Sequence, residues 1–152
     1  MNRMDADAVN RVMKSYDGPL DAVLRLLTAA GLVVDAIVHL QLASRYSPIG
    51  KTITQAALFR VESVAALLIA VLVLVAPWRR VVFLTAFLVA VSAFGAVMLY
   101  WYVNVGSIGP LPNMYEPIWF TKKTVTAYAE AGAAVAAFAG LFRVVIMTRR
   151  TD

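Results

Sequence analysis

The chain has no cysteine, a single histidine (His39), and only 15% of its residues are charged. Each shortage removes a class of function. Without cysteine there are no disulfide staples, thiolate metal ligands or cysteine nucleophiles, and no thiol redox chemistry of the quinone-linked oxidase type. With one histidine, haem held by two imidazoles of the same chain is excluded, and the paired Glu-x-x-His elements of di-iron bundles are missing. No Gly-x-Gly-x-x-Gly, phosphate loop, His-Glu-x-x-His or Gly-x-Ser-x-Gly occurs, so nucleotide binding and the common hydrolase mechanisms have no support. No polar linker divides the chain, and no repeat or low-complexity tail stands out.

What remains is apolar. Of 152 residues, 61% are hydrophobic and the mean hydropathy is +0.75, well outside the range of soluble domains. One integral membrane domain, residues 1–152, is the reading. A net charge of +5 would suggest nucleic acid in a soluble protein. Here the cations flank apolar runs, so the lipid bilayer and its anionic headgroups are the expected partner and nucleic acid is not.

Four runs are long enough to cross a hydrocarbon core as helices: about 21–44, 57–76, 80–103 and 124–147. Ahead of them, Met4, Ala8, Val9, Val12, Met13 and Tyr16 recur at helical intervals in residues 1–20, which suits a short helix on the membrane surface or a frayed polar tail. Asp17-Gly18-Pro19 breaks that segment. The second helix is expected to start near Thr52. Pro77-Trp78-Arg79-Arg80 is a tight turn, so the runs on either side must be antiparallel neighbours. Residues 104–122 form the longest connection, and their glycines, prolines and aromatics suit an ordered cap. The last run carries a face of small residues, Ala129, Gly132, Ala133, Ala136 and Gly140, that permits close helix approach.

With the termini and middle turn on one side, nine Lys and Arg lie there (Arg3, Arg11, Lys14, Arg25, Arg79, Arg80, Arg143, Arg149, Arg150). Five (Arg45, Lys51, Arg60, Lys122, Lys123) lie on the other. The positive-inside rule then puts both termini in the cytoplasm. The expected fold is all-α, an antiparallel four-transmembrane-helix bundle.

Asp35 and His39 stand four residues apart in the first run, on one helix face. Arg25, Thr28 and Tyr46 continue the same stripe. Glu62 and Glu130 are placed at similar depth in the outer halves of the second and fourth runs. Ionisable groups at membrane depth face the interior, a cavity or a partner. One imidazole and two or three carboxylates suit a single divalent metal, for which His39, Glu62 and Glu130 are the candidate ligands. The same groups suit a quinone or another lipid-like molecule, with Asp35, His39, Glu62, Glu130 and Tyr100 meeting its polar head and the loop aromatics, Trp119 among them, covering it. A proton relay is a third use. The plainer alternative is that Asp35 holds His39 while Arg60 or Lys123 neutralises Glu62 or Glu130, and the network sets helix register.

The four spans, the short turn between the second and third at Pro77-Trp78-Arg79-Arg80 and the presence of polar residues near the outer ends of the first two spans resemble the DoxX-like group of small bacterial membrane proteins. The resemblance covers the spans in outline. It implies a multi-pass protein of the bacterial inner membrane associated with respiratory or redox partners, and it assigns no role to an individual residue. Usage rich in alanine, valine and arginine resembles proteins of high-GC bacteria. Three functions follow as expectations: an outer-half pocket for a small ligand or metal, a structural or accessory subunit of a larger membrane complex or homo-oligomer, and a proton-coupled carrier.

Overall fold

A computed structural model of the chain describes residues 18–46, 52–76 and 80–149, with the side chains of 147–149 left aside. The described residues are helical apart from their connections and hold no strand, only one isolated bridge between Ile108 and Leu111. The helices are α1 (Pro19–Ala43), α2 (Gln55–Val75), α3 (Arg80–Tyr102) and α4 (Thr121–Arg149). All four are long and apolar enough to cross a membrane. Even the shortest, with 21 residues, extends about 32 Å at the helical rise.

Local chemistry sets the ends. α1 starts at Pro19 with Gly18 as an extended N-cap, because proline's fixed φ and missing N–H suit the first helical position. The second helix begins at Gln55 rather than near Thr52, since Thr54 takes the cap and its hydroxyl accepts from Ala57 N at 3.1 Å. The fourth begins at Thr121, three residues before the expected 124. Lys122 and Lys123 are good helix formers, and Lys123 finds carbonyl partners for its ammonium. The expected surface helix within residues 1–17, the middle of the first connection at 47–51 and the turn at 77–79 lie outside the described residues.

α1 packs against both α2 and α4, and α4 packs against α3. α2 and α3 are the most loosely apposed of the neighbouring pairs. Small residues set the close approaches. A Cβ on Gly31 would sit 2.7 Å from the Ala129 carbonyl oxygen and 2.8 Å from the Ala133 Cβ, so α1 and α4 meet there backbone to backbone. The Phe83 ring of α3 occupies the space a side chain at Gly140 would need. The expected small-residue face of the last helix is thus used within the chain, apart from Gly132, which faces open space. Ser63 Oγ ties α2 to α1 through the Ala36 carbonyl at 3.1 Å.

Burial is inverted relative to a soluble protein. Val61, Leu68, Val135 and Phe142 are among the exposed residues, whereas Thr28, Asp35, Ser63, Thr126 and Glu130 are almost fully enclosed. An apolar surface over a polar interior fits lipid as the surrounding solvent.

Residues 103–120 connect α3 to α4. Gly106 and Gly109 take positive φ values of 70° and 56° there, a backbone that favours glycine. Glu116 N donates to Tyr100 O at 3.0 Å, Trp101 Nε1 to Pro117 O at 3.2 Å, and the Lys123 ammonium to the carbonyls of Glu116 and Ile118. The connection is therefore an ordered strap across the ends of the helices.

Candidate functional site

The polar stripe of α1 faces inward. Asp35 is 1% exposed and His39 7%, and the helical interval between them brings Asp35 Oδ1 to 2.7 Å from His39 Nδ1. The Asp35 carbonyl lies 3.2 Å from the same nitrogen, and Glu62 Oε2 of α2 lies 3.3 Å from it. With three oxygens around it, Nδ1 carries a proton and donates. The Phe59 ring packs on the imidazole at a centroid distance of 5.0 Å.

From α4, the Thr126 hydroxyl donates to Asp35 Oδ1 at 2.7 Å and lies 3.3 Å from Glu130 Oε1. The four expected residues thus converge, linked in the order Glu62, His39, Asp35, Thr126, Glu130. Gly31 makes this possible, because the close approach of α1 and α4 one turn from Asp35 brings Thr126 within reach.

The network leaves acceptors over. Both carboxylate oxygens of Glu62 and Oε2 of Glu130 are buried without a hydrogen-bond partner. Glu62 Oε2 is within ion-pair distance of His39, yet it lacks hydrogen-bond geometry. The cations expected to neutralise Glu62 and Glu130 do not: Arg60 is exposed, and Lys123 is held by strap carbonyls and lies over the Trp119 and Phe120 rings. Among the described residues, the ion pairs in this region involve His39 alone.

A cavity of about 390 Å³ opens beside the network. His39 and Leu42 of α1, Gln55, Phe59 and Glu62 of α2, Ala93, Val97 and Tyr100 of α3, and Lys123 and Thr126 of α4 line it. Leu111, Met114 and Glu116 of the strap also contribute. Asp35 and Glu130 stand behind the wall. Tyr100 lines the cavity as expected, and Trp119 does not: it is exposed and packs tilted against Trp101 at a centroid distance of 4.6 Å, while its neighbours Phe120 and Lys123 line the cavity instead. Tyr46 reaches the cavity rim, its hydroxyl 3.4 Å from Glu116 Oε2. Burial, and then the Glu116 carboxylate beside it, hold that hydroxyl above its ordinary pKa, so it stays protonated and donates.

For a metal ion, one donor atom from each of Asp35, His39 and Glu130 lies within 4.8 Å of the others. That set is tighter than the expected combination of His39, Glu62 and Glu130, since Thr126 draws Asp35 and Glu130 together. Sequence reasoning did not single out Thr126 or Glu116. Thr126 was findable, because it stands four residues before Glu130 on one helix face; Glu116 sits in an irregular segment whose path no periodicity reveals.

No protein-family model, curated protein or solved structure matches this chain. The all-α framework with four candidate membrane-spanning helices, enclosing a His and carboxylate cluster, is the class that the fold and site define.

Proposed function

We propose that the chain is an antiparallel four-helix protein of a bacterial inner membrane, with both termini cytoplasmic, whose outer-half pocket binds a small lipid-like or quinone-like molecule. The cavity supports the antiparallel arrangement, since it gathers the C-terminal parts of α1 and α3 with the N-terminal parts of α2 and α4. The excess of cations on the opposite side supports the orientation. One observation carries the binding reading: Glu62 presents two buried oxygens with no hydrogen-bond partner beside a cavity of ligand size. Buried polar atoms are ordinarily satisfied, and leaving one unmade costs about 1–3 kcal/mol. A bound ligand removes that cost.

In this reading His39 and Glu62 meet the polar head, and Asp35 fixes the imidazole tautomer by accepting from Nδ1. Thr126 orients Asp35. The strap covers the head from the aqueous side. The plan is that of the DoxX-like group, and association with a membrane redox system belongs to the same proposal.

A second reading has its own support. Asp35, His39 and Glu130 bring mixed nitrogen and oxygen donors together, and Glu130 Oε2 has no partner although the residue is 1% exposed. Such a set suits one borderline divalent ion such as zinc, manganese or iron.

Both readings are tested on protein purified in mild detergent, by extraction and mass analysis of retained lipids together with elemental analysis. The expected result is a retained amphiphile or a stoichiometric metal that His39→Ala and Glu130→Gln lose while remaining inserted and folded. If nothing is retained and those variants lose only thermal stability, the pocket is a structural network and the binding reading is wrong.

A further inference from the structure

The cavity has a direction. Among its described lining residues, Val61 of α2 and Ala96 of α3 are the two exposed at the protein surface. They flank the gap between the two most loosely apposed neighbouring helices. Val61 is six residues from the start of α2 and Ala96 six from the end of α3, so each lies about 9 Å along the helix from the strap end. In a hydrocarbon layer about 30 Å thick, that depth faces lipid rather than water. At the axial end the strap, which Tyr100, Trp101 and Lys123 hold in place, lines the cavity with Leu111, Met114 and Glu116.

The chemistry changes along the cavity. Near the mouth the walls are Leu58, Val61, Ala93, Ala96 and Val97, and deeper they carry His39 and Glu62. The deep end carries polar oxygens, among them the two of Glu62 that have no hydrogen-bond partner. Lys123 already spends donors on two carbonyls. The carboxylates of Glu116 at the cavity and Asp35 behind its wall disfavour an anionic head by like-charge repulsion. Phe59, Tyr46, Tyr100 and Phe120 make the walls of the head region aromatic, which suits a flat ring.

We propose that the occupant is a tailed amphiphile, a hydroxyl-bearing aromatic ring on an alkyl or prenyl chain, which enters sideways from the outer leaflet between α2 and α3 at Val61 and Ala96. This rests on the pocket reading and adds to it the ligand's path and the polarity of its head. A volume near 390 Å³ lies toward the small end of ligand sites. It holds a ring and a few carbons, so the chain stays in the bilayer and threads the mouth.

The test uses the full-length protein in lipid nanodiscs and four probes: an alkyl-tailed hydroquinone, its dimethyl ether, an alkylamine of the same length, and hydroquinone without a tail. Wild type is expected to bind the tailed hydroquinone and to bind the ether about tenfold more weakly, because methylation removes both donors. Ala96→Trp fills the mouth; it is expected to weaken the tailed probe about tenfold while changing tail-less hydroquinone by less than about twofold. Val61→Trp closes the same gap from the other wall, so misfolding of either variant leaves the test intact. Equal binding of ether and hydroquinone, or preference for an alkylamine of the same length, overturns the head assignment. Unchanged binding of the tailed probe in folded Trp variants overturns the lateral mouth while the pocket stands. Wild type that binds none of the probes overturns this ligand assignment, and retention of a different native ligand by the purified protein still upholds the pocket.

Discussion

The two ends of the helix assembly treat buried charge in opposite ways. At the end away from the strap, Asp21 of α1 is 6% exposed and is met by Arg143 of α4 in a two-pronged pair, Nε to Oδ1 at 2.6 Å and Nη2 to Oδ2 at 3.0 Å. Arg25 adds a hydrogen bond to the Leu74 carbonyl at 2.9 Å, joining α1 to the end of α2. At the strap end, three carboxylates surround one imidazole, and among the described residues no lysine or arginine pairs with Asp35, Glu62 or Glu130. In the first, a guanidinium fork matches the Asp21 carboxylate in shape and charge, although Arg25 Nε is buried without a hydrogen-bond partner. The second retains unused acceptors. A protein that needed only helix register had the means to make both ends alike, and the proposed pocket accounts for the difference.

The sharpest way to break that comparison is at the fastening. Arg143→Met is expected to cost about 3 kcal/mol, because it leaves Asp21 buried without its cation; the low end of the usual range applies since the Arg143 side chain is 32% exposed. Thermal unfolding in detergent reads the loss, and the folded fraction is expected to keep its ligand. Equal losses of stability from Glu130→Gln and Arg143→Met count against the contrast.

A smaller effect is expected at Gly31, where the two regions share a contact. Gly31→Ala forces a Cβ against the Ala129 carbonyl and is expected to cost about 2 kcal/mol by overpacking. It also moves Thr126 away from Asp35, so binding at the strap end weakens along with stability. A stability loss with unchanged binding shows that the network tolerates the shift. Smallest is Thr126→Val, which removes the hydroxyl linking Asp35 and Glu130 at a cost of about 1 kcal/mol. Its expected signature is weaker ligand or metal retention with nearly unchanged melting. The reverse pattern makes the hydroxyl part of the fastening.

Much of the framework was legible from residue order. The four apolar runs emerged as helices within about three residues of their expected ends, because length and hydropathy alone decide whether a segment crosses about 30 Å of hydrocarbon. The inward face of α1 was legible as well, since Asp35 and His39 mark one side of a helix that is otherwise apolar. Trp119 shows the limit. As a loop aromatic it was expected over the ligand, and it packs exposed against Trp101 while Phe120 and Lys123 line the cavity instead.

Residue order by itself therefore determined the number of helices, their lengths, and the face on which α1 carries its polar groups. Only the tertiary structure decided that Glu62 and Glu130 turn toward that face, that Thr126 joins them, and that a cavity lined by all four helices forms beside them. The reason is rotational. α2, α3 and α4 are apolar almost all the way round, and lipid offers no preference between a leucine turned outward and one turned inward. Their rotation is instead set by small-residue contacts such as Gly31 against Ala129 and Gly140 against Phe83, and by the demand that each buried polar group find a partner.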